Sequence, residues 1–143
     1  MFVVFDLDGT LALNEHRQHF VARPKGERDW PAFFDACDKD DLNVPVAIVF
    51  HALVQAGHRV EIWSGRSAEV IKKTLVWLGE NGLSHVPFQC RDVGDRTPDH
   101  ELKKFWIDAA DPKPDLVFDD RSSVVKMWRE AGVVCAQVAP GEF

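Results

Sequence analysis

The sequence predicts an α/β protein with a Rossmann-like three-layer fold: a parallel sheet of about five strands between helices, with a small helical cap inserted after the first strand. Short runs rich in Val, Ile and Phe alternate with helical patterns along the 143 residues, the ordering of a parallel sheet with crossover helices. Those runs mostly lack polar alternation, which suits strands buried on both faces. Residues able to do chemistry stand just after several of the runs, where open parallel sheets bind ligands.

A first strand is predicted at Phe2–Asp6, and it leads into "DLDGT". Asp6 and Asp8 are two residues apart, so an extended backbone sends both carboxylates from the same face of the strand end. Two like charges held that close are costly unless something uses them. Pro45–Ala56 reads as a helix with Pro in its first turn and Gly57 after its end. A strand follows at Arg59–Ser64, then a helix from about Ser67 to Glu80 with Val70, Ile71, Thr74, Leu75 and Leu78 on one face. Val86–Cys90 is the third strand. The next helix opens at "TPD", with Thr97 as its cap and Pro98 at the first position, and is expected to bury Leu102, Phe105, Trp106 and Ala109. Strands at Leu116–Asp119 and Val133–Val138 flank a last helix, Ser122–Ala131, with Val124, Met127, Trp128 and Ala131 inward.

Residues 11–44 are too long for an ordinary loop and too short for a domain, so they read as a small cap over the carboxyl edge of the sheet. Trp30, Phe33 and Phe34 are its expected apolar anchor. The whole chain, 1–143, fits one globular domain with 45% hydrophobic residues. No stretch approaches the roughly 20 apolar residues of a membrane span, and a soluble cytoplasmic protein is the expectation. Cys37, Cys90 and Cys135 are odd in number and set among apolar neighbours, as buried thiols of a reducing compartment would be. A net charge of −6 argues against coating nucleic acid through bulk electrostatics. One segment runs the other way: Arg17, Arg23, Lys25 and Arg28 face Glu27 alone, as a solvated loop or as a phosphate-contacting one. His16 and His19 have a spacing compatible with helix-borne metal ligands, but surface placement is the expectation.

Reading the strand ends together gives Asp6 and Asp8 after the first, Ser64-Gly65-Arg66 after the second, and Asp119-Asp120 after the fourth. Each alone can be an ordinary turn or helix cap. Meeting in one crevice, acids from separate strands make a hard, oxygen-rich site suited to magnesium, while a hydroxyl and backbone N–H groups at a glycine turn suit phosphate oxygens. A lysine is still needed to balance the charge, and "ELKKFW" offers Lys103 and Lys104. On a helical wheel Lys103 lies roughly 110° from the centre of the expected apolar stripe and Lys104 about 150° away. Lys103, nearer the helix start, is the better candidate to reach inward.

"DLDGT", the Ser64 strand end, an inward lysine and "FDD" resemble, in this order, the four motifs of haloacid dehalogenase superfamily phosphatases. "WSGRS", "FQCR…GDR…D…LK" and "FDDRSSVVKMWREAGVVCAQVAPGEF" look like the 3′-phosphatase domain of phage polynucleotide kinase/phosphatase. No G-x-x-x-x-G-K-[ST] P-loop is present, so the chain resembles the phosphatase half standing alone. The resemblance implies that Asp6 is a nucleophile forming an aspartyl-phosphate and that Asp8 protonates the leaving alkoxide and then activates water. It implies Mg²⁺ held by Asp6, the backbone carbonyl of Asp8 and Asp119, with Asp120 as a further partner. Ser64 and Lys103 would hold the transferring phosphoryl with N–H groups at Leu7 and Gly65, while Thr10 and Arg66 orient the loop or substrate or merely finish turns. The expected substrate is a nucleic-acid 3′-phosphate end; a free nucleotide or other small ester is the alternative, and a non-catalytic interaction module a second one.

Overall fold

The computed structural model describes residues 1–142. In chain order it forms β1 (Phe2–Phe5), β2 (Ala12–Leu13), α1 (Trp30–Asp35), β3 (Asp41–Leu42), α2 (Val44–Gln55), β4 (Arg59–Ser67), α3 (Ile71–Glu80), β5 (Phe88–Arg91), α4 (Asp99–Ala109), β6 (Leu116–Asp119), α5 (Ser122–Glu130) and β7 (Val134–Gln137). Five strands make one parallel sheet in the order β5-β4-β1-β6-β7. β1 is central because its residues are buried on both faces. Phe2 and Val4 join Trp63, Ile107, Val117 and Trp128 in one core. Val3 and Phe5 join Phe50, Ile62, Trp77 and Leu78 in the other. Helices α2 and α3 thus cover one face and α4 and α5 the other, giving the three-layer Rossmann-like fold. The direction of strand addition reverses at β1, and the carboxyl ends of β1, β4 and β6 enclose the crevice.

The four-residue strand before Asp120 lies where expected, and the other strands differ by a residue or more at their ends. β4 runs on to Ser67, past the expected stop at Ser64, because its pairing with β5 shifts register between Ser64 and Ser67. That irregularity inserts Gly65 and Arg66 without losing the strand, and it re-aims the side chains at the strand end.

Two helices are rotated from the expected phase. In α3 the buried residues are Thr74, Trp77 and Leu78, while Leu75 is 51% exposed. In α4 they are Leu102, Lys103 and Ile107, while Phe105 is 73% exposed and Ala109 also faces out. Lys103 therefore lies on the buried stripe itself. The α4 helix turns because a paired ammonium occupies a core position that an apolar-only count assigns to a phenylalanine. Thr97 is not its cap: the helix starts at Asp99, with Pro98 before it.

The segment between β1 and α2 is helical as expected, with 3-10 turns at Glu15–Phe20 and Ala36–Lys39 around α1. It also contains an antiparallel pair, β2 with β3, which closes its two ends against each other. Phe33 is buried beneath it, with Trp30 and Phe34 partly buried. Cys37 and Cys135 are buried free thiols, and Cys90 is half-buried. No helix among the described residues is long and apolar enough to cross a membrane.

Candidate active site

β1 delivers Asp6 one residue past its end, where Asp6 N still donates to Phe118 O of β6 at 2.9 Å. The backbone then turns back sharply: Thr10, Leu11 and Ala12 all donate to Leu7 O at 2.8–3.2 Å. Gly9 makes this turn possible for two reasons. Its φ is +88°, a region other residues avoid, and a Cβ there would collide with the carboxylate of Asp120.

One oxygen each of Asp6, Asp119 and Asp120 lies within 4.8 Å of the others, and all three residues are buried. From α4, Lys103 Nζ donates to Asp6 Oδ1 at 2.6 Å and to Asp119 Oδ2 at 2.9 Å. Asp119 is fixed further by Trp128 Nε1 at 3.3 Å and by the Arg121 N–H at 3.2 Å. Burial pushes the Asp6 carboxyl well above its ordinary range, Asp119 and Asp120 add to the rise, and Lys103 opposes it. Burial and Asp119 likewise push Asp120 up to about 7. Lys103 is disfavoured as an ammonium by burial, yet Asp119 and Asp6 more than offset this and hold it protonated. Three converging carboxyls opposed by one cation leave an excess of negative charge. Hard oxygen donors in such a set fit a divalent cation such as magnesium.

Asp8 lies outside that cluster and belongs to a second, buried set. Arg17 Nη2 donates to Asp8 Oδ1 at 2.5 Å, and Arg66 binds the same carboxylate through Nη2 and through Nε at 3.2 Å. Asp40 joins both cations: Arg17 Nε and Nη2 donate to it at 2.7 and 2.5 Å, and Arg66 Nη2 at 3.2 Å. The insert thus contributes Arg17 and Asp40, β1 leads to Asp8, and the β4 irregularity supplies Arg66. Burial alone would raise Asp8, but the two guanidiniums outweigh it and hold the carboxyl well below its usual range.

Ser64 is fully buried near the end of β4, its Oγ accepting from the Arg66 N–H at 3.1 Å. Gly65 abuts Asp99, whose carboxylate would collide with any Cβ there. Thr10 is buried, and its Oγ1 has no hydrogen-bond partner among the described residues. Lys104 points away and pairs with Asp108 on the surface. Of the basic run, Arg17 is buried inside the site, whereas Arg23 and Lys25 are exposed. His16 is exposed, as expected, and reaches Asp40 at 2.8 Å.

Sequence reasoning missed Asp40 and Asp99 and misplaced Arg17. Asp99 had a usable signal, since it stands four residues before Lys103 and their charged ends lie 4.0 Å apart on α4. Arg17 and Asp40 had none: they lie 23 residues apart in a segment without periodicity.

Comparison with known proteins agrees with this geometry. The sequence profile described as the polynucleotide kinase PNKP phosphatase domain matches residues 1–143. Two solved chains, from structures of a Pnkp1/Rnl/Hen1 complex, the first described as an RNA repair complex, superpose with TM-scores of 0.81 and 0.80 at 31% and 32% identity. Each match covers 99% of this chain but only 43% and 47% of the other, so the chain spans less than half the length of these relatives. A putative phosphatase from Clostridium difficile shares the fold at 12% identity, with a TM-score of 0.66 over 95% of this chain and 83% of the other.

Proposed function

Because the chain belongs to the polynucleotide kinase PNKP phosphatase domain family and is thus a phosphatase of haloacid dehalogenase type, we propose that it removes the 3′-phosphate from polynucleotide ends through an aspartyl-phosphate. The observation that carries this reading is Lys103 Nζ, 2.6 Å from Asp6 Oδ1 at the edge of the acidic cluster. Asp6 attacks phosphorus, the bond to the 3′-oxygen breaks, and the phosphoryl group passes to the Asp6 carboxylate. Lys103 and the N–H groups at Leu7 and Gly65 face the charge that gathers on the phosphoryl oxygens, and the Ser64 hydroxyl donates to one of them. Asp6, Asp119 and the backbone carbonyl of Asp8, with Asp120 as a further partner, would hold a magnesium ion that would neutralise charge on the phosphoryl group.

Asp8 protonates the departing 3′-alkoxide and then takes a proton from the water that cleaves the aspartyl-phosphate. Arg17 and Arg66 hold Asp8 ionised in the free protein, the form its second role needs. For the first role a proton must arrive, and the phosphate ester brings one as its monoanion, since a phosphomonoester's second ionisation lies near pH 6. Asp120 completes the acidic cluster and, pressed against Gly9, fixes the distance between the two aspartate-bearing strand ends.

One of the two solved relatives comes from a complex described as acting in RNA repair, which supports a nucleic-acid end as substrate. The competing reading, a phosphatase for free nucleotides or other small esters, draws support from the net charge of −6 and from the loss of Arg17 to the interior. Phosphate release from a 3′-phosphorylated oligonucleotide, its 5′-phosphorylated counterpart and free 3′- and 5′-mononucleotides decides between them, run with Mg²⁺ and with EDTA and with Asp6→Asn as control. The proposal expects the 3′-phosphorylated oligonucleotide to be the best substrate, with loss of activity in EDTA and in Asp6→Asn. Faster release from mononucleotides would give the competing reading the case, and steep weakening of KM with salt on the oligonucleotide would speak against it.

A further inference from the structure

Trp30 is the first residue of α1 and lies on the insert, away from both cores. It rests on two rings of its own helix: Phe33 meets it edge-on at 5.6 Å and Phe34 lies tilted at 5.9 Å. Asp29 fixes the helix start by accepting from the Ala32 N–H at 3.0 Å. The ring is partly exposed, as an interior anchor would not be. Beyond the insert it meets the catalytic edge of the sheet: the Arg121 guanidinium carbon stands 5.9 Å from the ring centroid. Arg121 follows Asp120 directly and reaches Asp99 Oδ2 at 3.6 Å, and the same oxygen lies 4.0 Å from Lys103 Nζ. Three successive side-chain contacts therefore link the tryptophan to the lysine that holds Asp6.

We propose that Trp30 is a stacking platform for the nucleobase of the nucleotide whose phosphate is removed, with Arg121 as the opposite jaw. This rests on the nucleic-acid 3′-phosphate reading of the site. At 5.9 Å from the ring centroid the guanidinium is at the outer limit of a cation–π contact with the indole, with no room for a guest between them. A planar base sandwiched between them needs roughly 7 Å, two contact distances of about 3.5 Å. Opening by that ångström requires Arg121 to shift relative to the indole while it stays near Asp99 Oδ2, 3.6 Å away. Aromatic rings and arginine planes are the surfaces on which proteins stack unpaired bases, with little preference among bases. The insert's aromatic cluster then has a function beyond packing: it holds the indole rigid at the mouth of the site.

The test compares kcat/KM on two matched 3′-phosphorylated oligonucleotides, one with a normal terminal nucleotide and one abasic at that nucleotide, for wild type, Trp30→Ala and Trp30→Phe. The ratio between the two substrates is independent of how much of a variant folds. Wild type is expected to favour the base-bearing end by about 5- to 150-fold, the range that alanine replacement of a stacking aromatic produces. Trp30→Ala should bring the ratio towards one, and Trp30→Phe should restore most of it. A nucleoside 3′-monophosphate beside the base-free sugar phosphate forms a second arm, and a Trp30-dependent ratio there alone would overturn the polynucleotide platform by placing a free nucleotide between the jaws. Wild-type discrimination that survives Trp30→Ala, or a wild type with no discrimination, would overturn the platform while leaving the phosphatase reading intact. A wild type inert on both oligonucleotides would overturn the 3′-end reading, and with it a platform for polynucleotide ends.

Discussion

The acidic cluster makes a quantitative statement about the metal-free protein, and Asp120→Asn is the perturbation that isolates it. Burial, with Asp119 next in effect, lifts the Asp120 carboxyl from 3.8 to about 7. Between these values the folded state keeps a proton that the unfolded chain has released. The unfolded chain therefore binds fewer protons in this window, and stability falls as pH rises through it, levelling off above about 7. At 1.36 kcal/mol for each pH unit, the full cost above that point is up to about 4 kcal/mol. Asp6 and Asp40, both raised, act in the same direction, while Asp8 is held low and contributes only below the window. Asp120→Asn keeps the shape and removes the charge. In EDTA at pH 8 the variant should be more stable than wild type by up to about 4 kcal/mol in urea, or about 10 °C in Tm at this chain length. Its stability should also fall less steeply between pH 4.5 and 7.5. Millimolar MgCl₂ should raise the wild-type Tm and flatten its pH dependence, and should do much less for the variant. If wild-type stability in EDTA rises over this window, or if Asp120→Asn is the less stable protein at pH 8, the repulsion inferred from the cluster does not exist.

Four further outcomes follow from the same geometry. Lys103→Ala should lower kcat for phosphate release by at least about 100-fold, because it removes the cation on Asp6, whereas Lys104→Ala, on a surface lysine paired with Asp108, should stay within about twofold. Asp40→Ala leaves two buried guanidiniums sharing Asp8 alone and should cost about 3–5 kcal/mol in urea unfolding, while adding Arg17→Met to it should recover part of that loss. If the reaction takes up the one proton that the monoanionic ester carries, kcat/KM should fall about tenfold per pH unit above about pH 6, and a flat profile from pH 6 to 8 would refute delivery of that proton through Asp8. Cys135, pushed up to about 12 by burial and Asp119, and buried Cys37 should resist a thiol reagent at pH 8 in the folded protein, with half-buried Cys90 reacting first and all three reacting in denaturant.

The layered fold was legible because its signal is local. Parallel strands covered on both faces must be continuous apolar runs, and Leu116–Asp119 was found to the residue. Asp6, Ser64 and Asp119-Asp120 were legible for the same reason: each stands at the end of such a run, and topology brings run-ends to one edge. The failure in α4 has a definable physical cause. A hydrophobic stripe is drawn by assuming that charged residues face water, and Lys103 breaks the assumption because its charge is matched inside the protein by Asp6 and Asp119. Once Lys103 is admitted to the buried face, Leu102, Ile107 and the partly buried Trp106 fall into place around it and Phe105 turns outward.

The Asp8–Arg17–Asp40–Arg66 set had no comparable signature, since its members come from four segments and meet only when the insert folds back over β1 and β4. Its closure has a consequence for how the insert works. Arg17 also donates to Phe33 O at 3.0 Å and lies over the Phe33 ring at 4.2 Å, so the buried charge set grips the helix that carries Trp30. Trp77 Nε1 of α3 donates to Asp40 O at 2.7 Å, and Lys73 of the same helix holds Asp35 at 2.7 Å. Lifting the insert as a rigid lid would expose two arginines and break ion pairs in the interior, at a cost of several kcal/mol. On the stacking proposal, a cap held this firmly selects substrate through Trp30 on its edge and Arg121 facing it from the turn before α5, rather than by opening.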